Sequence, residues 1–256
     1  MFVMLMAVLA TLLSLQQPET LSLLGEPLYP PKLPKAARAA ADAELQRAHA
    51  AYTAKPSGVA EILALHRAHL ALGRVSDSLI VLTHGIGANP DTPELYLERG
   101  RGYILIRKFA VAQRDLTKAV KLPEARCTLG LAQYLAGDYT RARASYADCS
   151  DAGVFGYLAE RRAGGTAGKP PVAEGPIPAT SPPLRFPGAV TKEKAAAAQP
   201  IGQSYLDAIE RLLAADEAGA RDRLKQIVEK NRRDWMEAAY IAAEADYARL
   251  GKVKKK

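Results

Sequence analysis

Apolar and small residues recur at helical spacing through residues 91–120, and this stretch sets the pattern for most of the chain. Positions three and four apart repeat on one face, which is typical of an amphipathic helix. Thr92 is placed to cap the first helix. Pro93 and Glu94 would lie in its first turn, where a missing N–H does no harm and a negative charge is favourable. After Lys108 the periodicity resumes, so the stretch predicts two helices folded back on each other.

The intervals between closely packed positions repeat along the chain. From Gly100, small residues follow at +12 and then +7, and a residue without a long side chain lets two helices approach closely. The same two intervals start from His66, Gly130 and Ala208, and they reach these residues: Ser78 and Gly85, Ala142 and Cys149, and Ala220 and Ile227. Gly100 follows His66 by 34 residues, and a helix–turn–helix unit with this period indicates a solenoid.

These units resemble tetratricopeptide (TPR) repeats. The residues that carry the resemblance most specifically are Leu129-Gly130, Gly137-Asp138-Tyr139, Ala142 and Tyr146. Two features depart from the family's pattern: Gly130 follows Gly100 by only 30 residues, and His66 stands where a small residue is usual. The resemblance implies an all-α fold, a TPR-like α-solenoid of antiparallel helix hairpins with a Pro-rich linker and a C-terminal helical unit.

The same patterns divide the chain into segments. The linker is marked by composition, because eight of the 17 prolines fall within it. The C-terminal repeat should dock on the solenoid, since one repeat alone leaves an apolar face uncovered. The segments are 1–16, a signal-peptide-like run; 17–34, an extended lead-in; 35–162, a half-repeat, three repeats and a capping helix; 163–200, the linker; 201–251, one more repeat and a closing helix; and 252–256, a basic tail.

The first fifteen residues, Met1–Leu15, form an uncharged apolar run. It is shorter than the roughly 18–20 residues that span a bilayer, and it matches the core of a signal peptide. A basic residue before it and a small-x-small cleavage site after it are both missing. We expect export, to the periplasm or the envelope. An uncleaved anchor, or a buried helix in a cytoplasmic protein, is the alternative. The lead-in Leu23–Pro31 resembles that of exported bacterial repeat proteins.

Composition and charge narrow the function classes. The net charge of +8 is spread along the chain, and only the end, Lys252–Lys256, is densely basic. Nucleic-acid binding usually needs a concentrated basic face, so we expect no nucleic-acid partner, and membrane contact only through the N-terminal segment. With four Phe and one Trp, the chain has few large aromatic side chains to fill a core, which suits closely packed, alanine-rich helices.

No motif for catalysis or cofactor binding is recognisable. We find no nucleophile elbow, phosphate loop, dinucleotide fingerprint, zinc motif or paired carboxylates, so the sequence predicts a non-enzymatic protein with no cofactor and no metal. His66 and His69 lie three residues apart on one helix, but further metal ligands are absent. Since His66 faces Ser78 in the repeat register, we expect a buried histidine bonded to a hydroxyl.

Cys127 and Cys149 flank the turn at Gly137-Asp138 almost symmetrically, which places them at similar height on two antiparallel helices. In an exported protein a disulfide is plausible. However, Cys127 has the offset of a groove-facing residue and Cys149 that of a packed one, which favours Cα atoms beyond bonding distance. Two separate thiols are therefore the expectation, with the disulfide as the alternative.

In TPR proteins the first helix of each repeat lines a concave groove, and the resemblance implies such a lining here. Arg67 and Arg101 occupy equivalent places and would form a basic pair suited to a peptide or helix with an acidic group. The alternative is that both pair with Glu98 and other acids, or reach into water. The lining residues are Leu63, Arg67 and Leu70; Leu97, Arg101 and Ile104; and Cys127, Leu131 and Tyr134.

Three hypotheses follow for function. The first is a non-catalytic module that binds a protein or peptide partner in the groove. The second is an envelope scaffold or spacer retained by its N-terminal segment, and the third is an accessory subunit of an envelope complex. The carboxylate clamp of chaperone-binding TPR proteins is absent, because the matching places hold Leu63, Arg67, Glu98, Glu124 and Thr128.

Overall fold

The computed structural model describes residues 17–149, 152–166 and 201–253. This part of the chain is all but entirely helical, with two short strands near its start. The elements are β1 Thr20–Leu21, β2 Pro27–Leu28, α1 Lys35–Ala54, α2 Val59–Ala71, α3 Val75–Ala88, α4 Pro93–Leu105, α5 Phe109–Lys118, α6 Pro123–Ala136, α7 Tyr139–Ala147, α8 Gly153–Arg162, α9 Ile201–Leu213, α10 Glu217–Lys230 and α11 Ala238–Val253.

Each helix from α1 to α8 packs against the next along the chain, and α9, α10 and α11 do the same. The helices predicted at 35–55, in the three repeats and at 154–162 are confirmed, as is the return to helix after residue 200. The signal-peptide-like run 1–16 and most of the proposed linker, 167–200, lie outside the described residues. The basic tail lies largely outside them too, although α11 continues to Val253.

The small residues lie where helices approach most closely, as the intervals predicted. A methyl group on Gly100 would lie 2.7 Å from Leu116 Cγ, and one on Gly130 would lie 3.0 Å from the ring of Tyr146. In both pairs the large side chain follows the glycine by 16 residues. The absence of a side chain at these positions is therefore what lets α5 and α7 lie against α4 and α6.

The predicted cap of α4 is confirmed only in position. Thr92 takes the N-cap place with an extended backbone, and Pro93 and Glu94 begin the helix, but the Thr92 side chain accepts no capping hydrogen bond. Side-chain caps are found instead at Asp138 and Asp216, which accept from the backbone N–H groups of Arg141 and Gly219. The aspartates therefore stabilise the starts of the second helices α7 and α10.

The lead-in forms an antiparallel hairpin, which the sequence had predicted only as extended chain. Thr20 pairs with Leu28, and Leu21 pairs with Pro27. Gly25 takes a positive φ of 83° in the turn, a conformation that glycine adopts without steric cost. Because side chains alternate across a strand, the Leu28 side faces the core, where Leu28 is buried, and the Leu21 side faces solvent.

The C-terminal helices dock on the rest of the molecule, as expected. α9 contacts α8, and α11 contacts α6 as well as α9 and α10. Tyr205 and Ala208 of α9 and the middle of α11 are fully buried. The apolar face that one repeat would leave uncovered is thus buried against the preceding helices.

The expectation of two separate thiols is wrong. Cys127 and Cys149 form a disulfide, with their Cα atoms 5.1 Å apart. The offset argument failed because Cys149 is not on the face of a helix. α7 ends at Ala147, and the Cys149 N–H donates to the carbonyl of Tyr146 in the turn that follows. That turn brings Cys149 to Cys127 in the first turns of α6.

Within residues 17–149, 152–166 and 201–253, none of the helices is both long enough and apolar enough to cross a membrane.

Candidate functional site

The predicted groove residues fall into two groups with different surroundings. The three on α2, here called the α2 face, remain accessible: Arg67 is exposed, and Leu63 and Leu70 are half-buried. On α4, Leu97, Arg101 and Ile104 are buried. An open surface along the predicted line is therefore present on α2 and is absent from this part of α4.

The corresponding part of α6, here called the α6 face, consists of Leu131 and Tyr134 and is closed. Neither side chain is more than 2% exposed. The Tyr134 hydroxyl lies 2.8 Å from that of Tyr205 on α9. The Tyr134 ring packs in a T-shaped arrangement with that of Phe155 on α8, with the two ring centroids 5.4 Å apart. The third repeat's predicted lining is thus covered by helices of the same chain, and Cys127 is taken up by the disulfide.

A buried carboxylate on α11, that of Asp246, joins the helices that cover the α6 face. It accepts from Tyr205 OH at 2.6 Å and from Arg162 Nη1 at 2.7 Å, and it pairs with Arg249 at 2.7 Å. The Arg162 guanidinium also lies 4.0 Å from the ring centroid of Tyr139. Burial alone would raise the pKa of Asp246, but the charges of Arg162 and Arg249 outweigh it and lower the pKa. The carboxylate is therefore ionised in the folded protein near neutral pH.

A second buried carboxylate on α11, that of Glu244, bonds to a different set of partners. It pairs with Arg107, at the end of α4, at 2.7 Å, and it accepts the backbone N–H of Leu23 at 2.5 Å. Arg107 also donates to the carbonyl of Trp235. A buried charge is costly unless it keeps its partners, so these contacts should be maintained in the folded protein. Through Glu244, α11 thereby connects the turn after α4 with the N-terminal hairpin.

Sequence reasoning missed this pair of acids. Glu244 and Asp246 are both fully buried, in the middle of an alanine-rich helix whose residues 240–246 are all buried. The signal was present in the sequence, because two acidic residues interrupt the run Ala238–Ala248 that is otherwise apolar. Their partners, however, lie too far away in the chain for any spacing to show them.

A polar cluster, the His66 cluster, lies between α2 and α4. His66 is buried, and its Nδ1 lies 2.7 Å from the Ser78 hydroxyl, which confirms the predicted contact. Its Nε2 lies 3.5 Å from Glu98, and the other oxygen of Glu98 accepts from Arg101 Nη1 at 2.5 Å. A proton on Nε2 would satisfy both sides of the ring, with Ser78 donating to Nδ1.

The two arginines predicted to form a basic pair differ in their environment. Arg101 is neutralised by Glu98, and its Nε is buried without a hydrogen-bond partner. Burial alone would raise the pKa of Glu98, but the hydrogen bond from His66 and the charge of Arg101 lower it below the ordinary value. Arg67 lies next to this cluster in sequence and has no ion-pair partner among the described residues. One exposed cation therefore remains where two were expected.

The histidines are divided between different partners. His66 faces Ser78 and Glu98, whereas His69 Nδ1 lies 3.7 Å from Asp77. Burial lowers the pKa of His69, and the charge of Asp77 acts in the opposite direction. In the part of the chain that the structure describes, no group of three or more His, Cys, Asp or Glu side chains is arranged to hold a metal ion.

No protein-family model matches the chain, and no curated protein matches its sequence.

Proposed function

We propose that this chain is a non-catalytic interaction module, a TPR-like solenoid that binds a protein or peptide partner on its α2 face. The order of helix packing supports the solenoid, because each helix contacts the next and the small residues recur at the same contacts. In such folds the first helices of repeats offer binding surfaces, and here the face that stays open is the one on α2.

The observation that carries the proposal is the state of Arg67. It is an exposed cation without an ion-pair partner among the described residues, and it lies one turn from two half-buried leucines, Leu63 and Leu70. A guanidinium beside apolar side chains suits a partner segment that carries an acidic group next to apolar residues. The partner class is therefore an acidic–apolar peptide or helix.

The neighbouring His66 cluster would keep this face in place. Ser78, His66, Glu98 and Arg101 join α3, α2 and α4 by consecutive polar contacts. Since these groups bond one another, they leave Arg67 as the cation available to a partner. An arginine held on a rigid helix loses less conformational entropy on binding than one on a loop.

The proposed location is outside the cytoplasm, in the periplasm or the envelope. The disulfide between Cys127 and Cys149 supports it, because disulfides persist in oxidising compartments and are rare in the cytosol. The apolar run Met1–Leu15 is consistent with the same route.

The test is capture of a partner from the native host's envelope fraction by the full chain and by variants at Arg67. Arg67→Glu should abolish capture, and Arg67→Lys should weaken it, because lysine keeps the charge but not the bidentate geometry. The matched control is Arg114→Glu, which reverses another exposed arginine on α5 that has no ion-pair partner among the described residues. Arg101→Glu is unsuitable, because it would bury a second negative charge beside Glu98.

Capture that is lost in Arg67→Glu and kept in Arg114→Glu would support the α2 face as the binding surface. Equal capture by both variants would reject this face and favour another surface. Circular dichroism on each variant separates loss of binding from loss of fold.

A further inference from the structure

The N-terminal hairpin displays an unusual concentration of exposed apolar side chains. The described residues include five large hydrophobic side chains that are exposed, and four of them lie on this hairpin: Leu21, Leu23, Leu24 and Tyr29. The fifth, Ile80 on α3, is 68% exposed and stands alone. A single exposed apolar residue is ordinary, but a cluster marks an interaction surface.

The cluster, here called the hairpin patch, is produced by the register of the two strands. Leu21 is 57% exposed and lies opposite Pro27, so the two share the outward side of the hairpin. Tyr29 follows Pro27 by two residues, and Leu23 and Leu24 lie in the turn. The patch therefore covers one side and the tip of the hairpin.

The hairpin is fixed to the body of the molecule by polar contacts of its backbone and of its two glutamates. Glu19 accepts the backbone N–H of Ser76 at 2.8 Å, and Glu26 pairs with Arg232. The Trp235 indole N–H donates to the Tyr29 carbonyl at 2.8 Å, and Leu23 bonds to Glu244 through its backbone. The apolar side chains are thus held outward by a firmly attached segment, and the exposure does not come from fraying.

We propose that the hairpin patch contacts the surface of a lipid bilayer. The sequence places the apolar run Met1–Leu15 just before it, with six residues from Leu15 to Leu21. Six residues span about 20 Å at most when fully extended. In this proposal the run is the uncleaved anchor described above. When the run stays attached and enters a bilayer, the patch is held within this distance of the lipid surface.

The charges near the patch suit an anionic surface. The two acidic residues of the hairpin, Glu19 and Glu26, both bond to groups on the body of the molecule. Exposed cations stand at Lys32, which follows β2, and at Lys108 and Arg233, next in the sequence to Arg107 and Arg232. Two acidic residues, Asp234 and Glu237, follow Arg233, so Lys32 is the cation nearest the patch in the sequence. Basic residues near anionic headgroups add to the binding of apolar side chains, and tyrosine is favoured at the interface.

This inference does not depend on partner binding by the α2 face, and its test needs no partner. The full chain is bound to vesicles of phosphatidylethanolamine and phosphatidylglycerol, with or without bromine on the acyl chains. Two variants carry a tryptophan as a probe, Leu23→Trp on the patch and Ile80→Trp as the matched exposed control. The buried Trp235 is common to both, and its emission is measured in the wild type.

Brominated acyl chains should remove roughly half of the added emission in Leu23→Trp and leave that of Ile80→Trp unchanged, because only the patch reaches the depth of the acyl chains. Equal quenching at both positions, no quenching in Leu23→Trp, or failure of the chain to bind the vesicles would overturn the proposal. A dimer without vesicles that Leu21→Ser dissociates would assign the patch to a second copy instead, and would also overturn it.

Discussion

The α2 face and the α6 face occupy equivalent places in the sequence repeat, yet the structure leaves one open and closes the other. Arg67 on α2 is exposed, whereas Tyr134 on α6 is fully buried against Tyr205 and Phe155. The repeat determines how a helix packs on its immediate neighbours. What covers its remaining face depends on helices that come much later in the chain.

The polar groups near the two faces also differ in burial. Asp246, beside the α6 face, is almost completely buried and is bonded to two arginines and two tyrosines. Glu98, beside the α2 face, retains 24% side-chain exposure. Charges removed from water depend strongly on their partners, so the closed region should be far more sensitive to mutation than the open one.

The largest effect is expected from Asp246→Ala. The change leaves Arg162 and Arg249 without their shared carboxylate inside the protein, so we expect a loss of about 3–5 kcal/mol in the free energy of unfolding. Denaturation by urea measures it. Asp222→Ala, which removes an exposed carboxylate on α10, is the control and should change little. A loss as small as that of the control would show that Asp246 does not hold the α6 face closed.

The next largest effect is expected from the double variant Cys127→Ser/Cys149→Ser. The disulfide closes a sequence separation of 22 residues, and loss of such a loop constraint costs about 3 kcal/mol in the chain-entropy model. Urea denaturation without a reducing agent gives the value. Dithiothreitol should lower the stability of the wild type by the same amount and have no effect on the variant. A variant as stable as the oxidised wild type would contradict the account.

Glu98→Gln should have a smaller, pH-dependent effect. The folded-state pKa of Glu98 is below its ordinary value of 4.5, so the ionised form stabilises the folded state above that pH. This stabilisation is lost as the pH falls through the folded-state pKa. Because Glu98 bonds to charged Arg101, we expect Glu98→Gln to cost about 1–2 kcal/mol at pH 7.

The measurement is the difference in unfolding free energy between wild type and Glu98→Gln from about pH 7 down to about pH 3, which is below the ordinary pKa values of carboxyl groups. The difference should shrink on the acid side. A difference that is constant with pH would show that the charge of Glu98 contributes nothing to the His66 cluster. Glu229→Gln on α10, which is exposed and among the described residues pairs with Lys225 alone, serves as the control.

The smallest effect on stability is expected from Arg67→Glu, which should change the free energy of unfolding by no more than about 0.5 kcal/mol. The side chain is exposed, and no ion pair with a described residue is lost. The same urea denaturation checks this. A loss comparable to that of Asp246→Ala would show that Arg67 stabilises the fold. Its exposure could then no longer be used as evidence for partner binding at the α2 face.

Sequence reasoning succeeded where contacts are local and repeated. The contact of His66 with Ser78 and the close approach of Gly100 to the Ala112 carbonyl both follow from the spacing of 12 residues within one helix pair. It failed where contacts are distant: Tyr134 meets Tyr205 across 71 residues, and Arg107 meets Glu244 across 137. No period in the sequence shows which face a distant helix will cover.

The disulfide and the hairpin were not predicted for a different reason, because both depend on irregular backbone. Cys149 reaches Cys127 because α7 stops at Ala147, and the exact end of a helix is poorly determined by sequence. The hairpin has strands of only two residues each, too short for an alternating pattern to be recognised. Burial of Leu28 on one side and exposure of Leu21 on the other become apparent only in the structure.

The most direct test of the open α2 face is site-specific photocrosslinking in the envelope of the native host. A photoreactive phenylalanine analogue replaces Arg67 in one full-length variant and Arg114 in another, since both side chains are exposed and lie on different helices, α2 and α5. If the α2 face binds the partner, position 67 should give a discrete adduct with a protein and position 114 should give none. Adducts from position 114 alone, or the same adducts from both positions, would contradict the assignment of partner binding to the α2 face.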